Sequence, residues 1–144
     1  MDTTRIRPIA VCLFRKANRI LVSEGFDTIE QNYYYRPLGG EIEYGESSRK
    51  AVVREIREEL GAEIEDLQLL GVMENIFVCE GQPGHEIVFV FDAKFADESL
   101  YELEEIDGYQ QEANVRFKAR WKSLNEIEES NGRLVPEDLA KMLR

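Results

Sequence analysis

The chain has 144 residues, 43% of them hydrophobic, and a formal net charge of −11 at pH 7. That length and apolar content predict one compact domain spanning 1–144, and without a Pro/Ser-rich linker they exclude a disordered chain. The acidity excludes a surface that tracks macromolecular nucleic acid, which needs a basic footprint; it admits a phosphorylated small molecule if a metal cation supplies positive charge.

Two cysteines, Cys12 and Cys79, and a single histidine, His85, rule out a zinc site and a disulfide framework. Free thiols of a reducing compartment are expected instead. The apolar run 9–14 is too short for a signal peptide and is closed by Arg15 and Lys16, and no stretch approaches the length of a membrane span. A soluble cytoplasmic protein with no membrane partner is the expectation.

Residues 5–14 read as a strand with Pro8 near its start. Ala17 and Asn18 mark a turn, and 19–24 return as the second arm of a hairpin. Residues 25–32 are polar and read as a loop. Tyr33, Tyr34 and Tyr35 form a short aromatic strand leading to Arg36, Pro37 and the pair Gly39-Gly40. A helix starts with Ser47 or Ser48 as N-cap, Glu46 lies just upstream where the helix dipole favours a carboxylate, and Gly61 is the C′ residue. Val52, Ile56 and Leu60, with Val53 beside them, form its docking stripe.

Residues 67–79 and 85–95 read as long strands around a turn at Gly81-Gln82-Pro83-Gly84. The second is apolar at consecutive positions, the pattern of a strand covered on both faces, so a layer is expected on each side of the sheet. Residues 97–112 read as an acidic loop, with Leu100, Leu103 and Ile106 as a candidate helical turn. Residues 115–121 alternate as a strand, 124–129 form a short helix, and Pro136 opens a terminal helix over 137–144.

The chemistry concentrates in 39–62. Glu55, Glu58 and Glu59 stand at i, i+3 and i+4, so a helix gathers them along one side, next to the docking stripe. Clustered like charges disfavour a helix by roughly 0.2–0.5 kcal/mol per i,i+4 pair. A hard divalent cation offsets that cost, and Mg²⁺ takes one or two carboxylates together with phosphate oxygens. The helix alone leaves open a plain solvated face, with pairs such as Arg54–Glu58 and Glu55–Arg57. Gly39 and Gly40 allow close approach of the main chain to a ligand, and Gly45 permits a turn that brings Glu43 or Glu46 back to the helix.

From Gly40 to Ala62 the segment resembles the Nudix box at every fixed position: Gly40, five residues, Glu46, seven residues, then Arg54-Glu55-Ile56-Arg57-Glu58-Glu59-Leu60-Gly61-Ala62. The tyrosine-rich strand before it, the 116–121 strand and the closing 135–139 segment are also similar to members. The family often has Pro directly before the Gly pair, where this chain has Leu38 and carries Pro37 one place earlier. The resemblance implies an α/β/α sandwich with a mixed sheet and a loop-helix-loop catalytic motif. It also implies Mg²⁺- or Mn²⁺-dependent hydrolysis of a nucleoside diphosphate linked to another group.

By position in the motif, Glu55, Glu58 and Glu59 are the implied metal set, with the main-chain carbonyl of Gly40. Arg54 is implied to hold a glutamate in its rotamer, and Glu46 to close the loop, beside the structural Gly39, Gly45 and Gly61. Glu58 and Glu59 are candidate bases, and Glu112 resembles a distal glutamate of many members. Arg36 is a candidate phosphate contact, His85 a candidate substrate contact in a surface turn, and Tyr33, Tyr34, Tyr35 and Phe77 offer faces for a nucleobase. The other class compatible with the box is a nucleotide-sensing module without turnover, which would be free to lose its glutamates. No substrate marker of a subfamily is present downstream, and homodimers, common in the family, are a possible assembly.

Overall fold

A computed structural model describes residues 4–143. The strands are β1 (Arg7–Leu13), β2 (Arg15–Lys16), β3 (Arg19–Asp27), β4 (Asn32–Glu41), β5 (Ile64–Cys79), β6 (Gln82–Phe95), β7 (Glu105–Gln110), β8 (Val115–Ser123) and β9 (Arg133–Leu134). The helices are α1 (Ser48–Leu60), α2 (Leu124–Glu129) and α3 (Leu139–Leu143), with a short 3-10 helix at Glu98–Glu102. None is long and apolar enough to cross a membrane. The strand order is β5-β6-β1-β4-β3-β8-β7, with β2 on β3 and β9 on β4.

Strand β4 joins two halves of this arrangement. Its first part, Asn32 to Pro37, pairs antiparallel with β3, and its second, Leu38 to Glu41, pairs antiparallel with β1. Beyond β1 lies β6, in parallel register from Arg7–Glu86 to Leu13–Asp92, so the sheet is mixed. Alternation along β1 and β6 sends side chains into two cores. Ala10, Cys12 and Phe91 meet Ala51, Val52 and Ile56 of α1 on one side. Val11, Val88 and Val90 meet Ile127 of α2, Leu134 and Leu139 of α3 on the other. The double cover expected for the 85–95 strand is what makes this an α/β sandwich.

Helix α1 begins where Ser47 accepts from the N–H of Lys50 at 3.2 Å and ends at Gly61, which is left-handed at φ 65°. Of its expected stripe, Val52 and Ile56 are fully buried and Val53 and Leu60 pack at the margin; Ala51, not counted in the stripe, is fully buried as well.

Several expected boundaries move. The loop expected over 25–32 shrinks to a turn, because β3 continues to Asp27 and Gly25 lets the Tyr34 ring lie against the backbone, where an added Cβ would stand 2.2 Å from it. The turn placed at 81–84 is the two-residue Glu80-Gly81, with φ of 53° and 73°, both positive as a tight hairpin turn requires. His85 therefore lies inside β6, opposite Ile76, rather than in a surface turn.

The acidic 97–112 segment contains β7. Its Glu105 and Asp107 face Arg120 and Lys118 of β8 at 3.2 Å and 2.6 Å, while Ile106 turns into the core. Charge on the outer face disguised the alternation. Only Leu100 of the three expected apolar residues falls in a helical turn. Pro136 follows a cis peptide and does not open the last helix, which starts at Leu139 because the Val135 N–H still bonds to the Tyr35 carbonyl alongside β4. Arg144, the expected end of that helix, lies outside the described residues.

One buried aspartate ties the hairpin ends together. Asp27 is 1% exposed; it accepts from the N–H groups of Ile29 at 3.0 Å, Glu30 at 3.1 Å and Glu80 at 3.2 Å, and pairs with Arg133 at 3.3 Å. These donors, the Glu30 N–H foremost, hold its pKa below the usual aspartate value. The stability it contributes is therefore full above the ordinary carboxylate pKa and is lost as pH falls through its own lower one. Thermal melts of Asp27→Asn against the parent should show a deficit at pH 7 that closes in acid; a deficit unchanged at pH 3 contradicts the role of the charge.

Candidate active site

Residues Glu55, Glu58 and Glu59 leave α1 on the side next to its buried stripe. Arg54 gathers the surroundings. Its Nε and Nη2 fork onto Glu46 at 2.7 and 2.9 Å, its Nη2 also reaches the Glu41 carbonyl at 3.1 Å, and its Nη1 serves Glu55 at 2.9 Å and Glu58 at 3.1 Å. A guanidinium has five N–H donors in a fixed fork, and each of these has a partner. The expected Arg54–Glu58 pair is therefore present, whereas Arg57 pairs with Glu63 at 2.7 Å and not with Glu55. Glu46 also accepts from the Glu43 N–H at 3.1 Å, closing the loop that contains Gly45.

The Gly pair is where β4 changes partners. Strand β3 has left by Pro37, so the Gly39 N–H is free to donate to Glu59 Oε1 at 3.1 Å. Gly39 has φ 148°, and a Cβ there would meet the Ala10 carbonyl at 2.0 Å. At Gly40 a Cβ would meet the Glu55 carboxyl at 2.5 Å, so only glycine lets this main chain lie against that carboxylate.

Charge is poorly compensated in the deeper part of the cluster. Burial, then the neighbouring Glu55 charge, pushes Glu59 up to about 8, against the opposing Gly39 N–H, the Gln110 side-chain amide and Arg36. Glu55 is raised by burial, held back by Arg54, and raised further by Glu58 and Glu112. Glu46 is lowered by its bonds to Arg54, whose own pKa rises in turn. Anions are thus disfavoured where Glu55 and Glu59 converge.

Among the described residues, no three acidic, histidine or cysteine side chains stand close enough to make a ready metal cage, because Arg54 draws Glu55 and Glu58 onto itself. In kind the donors fit a hard divalent cation: carboxylate oxygens short of positive charge, with a bare main chain beside them at Gly40.

Strand β7, unseen in the sequence, carries Gln110 to Glu59 and places Glu112 in the following turn, where Glu55 feels its charge. Arg36 is close enough to act on Glu59. The remaining candidates lie elsewhere. Tyr35 is 5% exposed inside the second core. Phe77 covers Gly84 and lines a cavity of about 430 Å³ beside Asn75 and Arg133. Tyr34 is partnered by Cys79, and Tyr33 stacks edge-on with Phe26. The His85 Nε2 has no hydrogen-bond partner among the described residues.

A NUDIX domain model matches residues 4–143. The chain is similar to a MutT NUDIX hydrolase from Burkholderia pseudomallei at 25% identity and TM-score 0.58, over 85% of this chain and 86% of that one. It shares the fold of a NUDIX hydrolase from Nitrosomonas europaea (18% identity, TM-score 0.60, 88% of this chain and 78% of that one). It also shares the fold of a UDP-X diphosphatase (16% identity, TM-score 0.63, 99% of this chain and 63% of that one). The fold and the carboxylate helix define a hydrolase of the α/β sandwich class. The chain belongs to the NUDIX hydrolase family.

Proposed function

We propose that the protein hydrolyses a pyrophosphate bond in a nucleoside diphosphate linked to another group, using Mg²⁺ or Mn²⁺. The observation that carries this reading is that Glu55 and Glu59 converge on the bare main chain of Gly39 and Gly40 with too little positive charge to balance them, while Glu58 leaves the same side of α1 in the grip of Arg54. Those three carboxylates and the Gly40 carbonyl would hold the cation. When bound, it would neutralise the pyrophosphate and lower the pKa of a coordinated water.

Arg54 sets the rotamers of Glu55 and Glu58 and, through Glu46, ties the loop to the helix. Gly39 and Gln110 orient Glu59. Glu58 has the most exposed side chain of the Arg54-bound carboxylates on α1, 36% against 16% for Glu55, which suits it to take the proton of an attacking water. Glu112 completes the acidic rim from the β7–β8 turn. Two unpaired cysteines support a reducing, cytoplasmic setting.

Glu58→Gln keeps the shape of the side chain and removes its charge. It should lower kcat by about two to four orders of magnitude, the usual worth of a positioned acid–base group, with an unchanged melting curve. Activity within a few-fold of the parent contradicts the assignment.

A further inference from the structure

Glu86 of β6 is, with Asp27, one of two fully buried carboxylates outside the acidic cluster, its side chain only 2% exposed. An ionised carboxylate taken out of water must be paired and hydrogen-bonded. Asn75 donates to its Oε1 at 3.2 Å, while Arg7 Nη1 and Arg36 Nη2 each stand 3.6 Å from its Oε2. Two guanidiniums thus share one carboxylate oxygen. Arg7 divides its charge further with Glu41 at 3.4 Å, but Glu41 is already held by Arg5 at 2.6 Å. Three arginines face two carboxylates.

The surplus sits in a chain of net charge −11 and has donors to spare. At 3.6 Å both contacts with Glu86 are ion pairs beyond hydrogen-bond reach. Among the described residues the Arg36 guanidinium makes no hydrogen bond, and the side chains of Arg36 and Arg7 remain 39% and 33% exposed. The pair also adjoins the acidic cluster. Glu41 follows Gly40 directly and gives its carbonyl to Arg54, and Arg36 is among the charges that act on Glu59. Guanidinium forks with unused N–H groups match phosphate oxygens.

We propose that Arg7 and Arg36, fixed by the buried Glu86, form a phosphate clamp that takes one phosphate of the nucleotide substrate beside the Gly40–Glu55–Glu59 cluster. The proposal rests on the pyrophosphohydrolase reading and assigns a second anion subsite to it. Glu86 and Asn75 are positioning residues: they set the guanidiniums and do not touch the ligand. Arg5 strengthens the arrangement by occupying Glu41, which leaves Arg7 less neutralised.

The test is calorimetric titration with ADP in EDTA, together with steady-state kinetics. Arg36→Gln and Arg7→Gln should each weaken ADP binding by about tenfold, while adenosine, which lacks phosphate, distinguishes none of the variants. Arg36→Lys should recover part of the loss. In turnover, Arg36→Gln should raise KM about tenfold with kcat within a few-fold. Because an unbalanced Glu86 could unfold the single variants, the double variant Glu86→Gln/Arg36→Gln removes one charge of each sign and leaves the net charge of the network as in the parent, and it should bind ADP as weakly as Arg36→Gln. ADP affinity within twofold of the parent in these variants, or no ADP binding by the parent itself, overturns the clamp. Arginine-dependent ADP binding by a parent that hydrolyses nothing would retain the clamp and overturn the hydrolase reading. Turnover with an unmoved KM would do the reverse.

Discussion

Arg54→Lys should lower kcat by at least about a hundredfold and destabilise the fold, although it preserves the charge. The ammonium has three donors on a compact head, whereas Arg54 uses a planar fork toward Glu46 and separate donors toward Glu41, Glu55 and Glu58. A lysine cannot grip Glu46 in two places and still span the helix carboxylates. Glu46, with a side chain 15% exposed, and Glu55, 16% exposed, would then face each other with less compensation. Losing one partner of such a half-buried network costs on the order of 2 kcal/mol, discounted from the fully buried case for solvent. Urea unfolding and kcat on the same preparation measure both effects. A lysine variant with parental kcat would mean that Arg54 serves only as a counter-charge.

Glu59→Gln should do the opposite to stability while still abolishing turnover. Its carboxyl is pushed to about 8 mainly by burial, and the glutamine oxygen can keep the Gly39 N–H bond without the charge. A group whose folded pKa is raised binds its proton more tightly in the native state, so the parent loses stability as pH rises from the ordinary carboxylate value toward 8. Well below the ordinary carboxylate value of 4.5 the parent is neutral at this position in both states, and the variant gains nothing. In EDTA, the advantage of Glu59→Gln should therefore grow between pH 5 and 8 and then level off, reaching on the order of a few kcal/mol. With saturating Mg²⁺ the parent should recover, because a ligand that binds only the folded state stabilises it. A variant no more stable than the parent at pH 8.5 in EDTA would show that the buried charge is already compensated.

The helix and its loop were legible because their information is local. Glu55, Glu58 and Glu59 at helical spacing, the Ser47 cap and Gly61 all follow from residues a few places apart, and the fixed distance from Gly40 to Arg54 carried the family resemblance. What the sequence hid depends on contacts between distant segments. β7 was masked because its outward Glu105 and Asp107 read as loop until Arg120 and Lys118 stand opposite them. With β7 missed, Gln110 could not be placed on Glu59.

The Glu86 network was equally invisible, since it joins β1, β4, β5 and β6, and nothing at Arg7 or Asn75 singles it out in sequence. Tyr35, a candidate face for a nucleobase, is instead a core residue, because α2, α3 and β9 cover its face only in three dimensions. His85 looked like a turn residue because Gly84 and Pro83 are turn formers; here the turn is already complete at Gly81.

The most direct test of the pyrophosphohydrolase reading is product release from a panel of dNTPs, oxidised dGTP, ADP-ribose, NADH, dinucleoside polyphosphates and nucleotide sugars, with Mg²⁺, with Mn²⁺ and with EDTA. At least one compound should be cleaved at its pyrophosphate with either metal and none in EDTA. Folded protein that cleaves nothing with both metals, or cleaves equally well in EDTA, would contradict it.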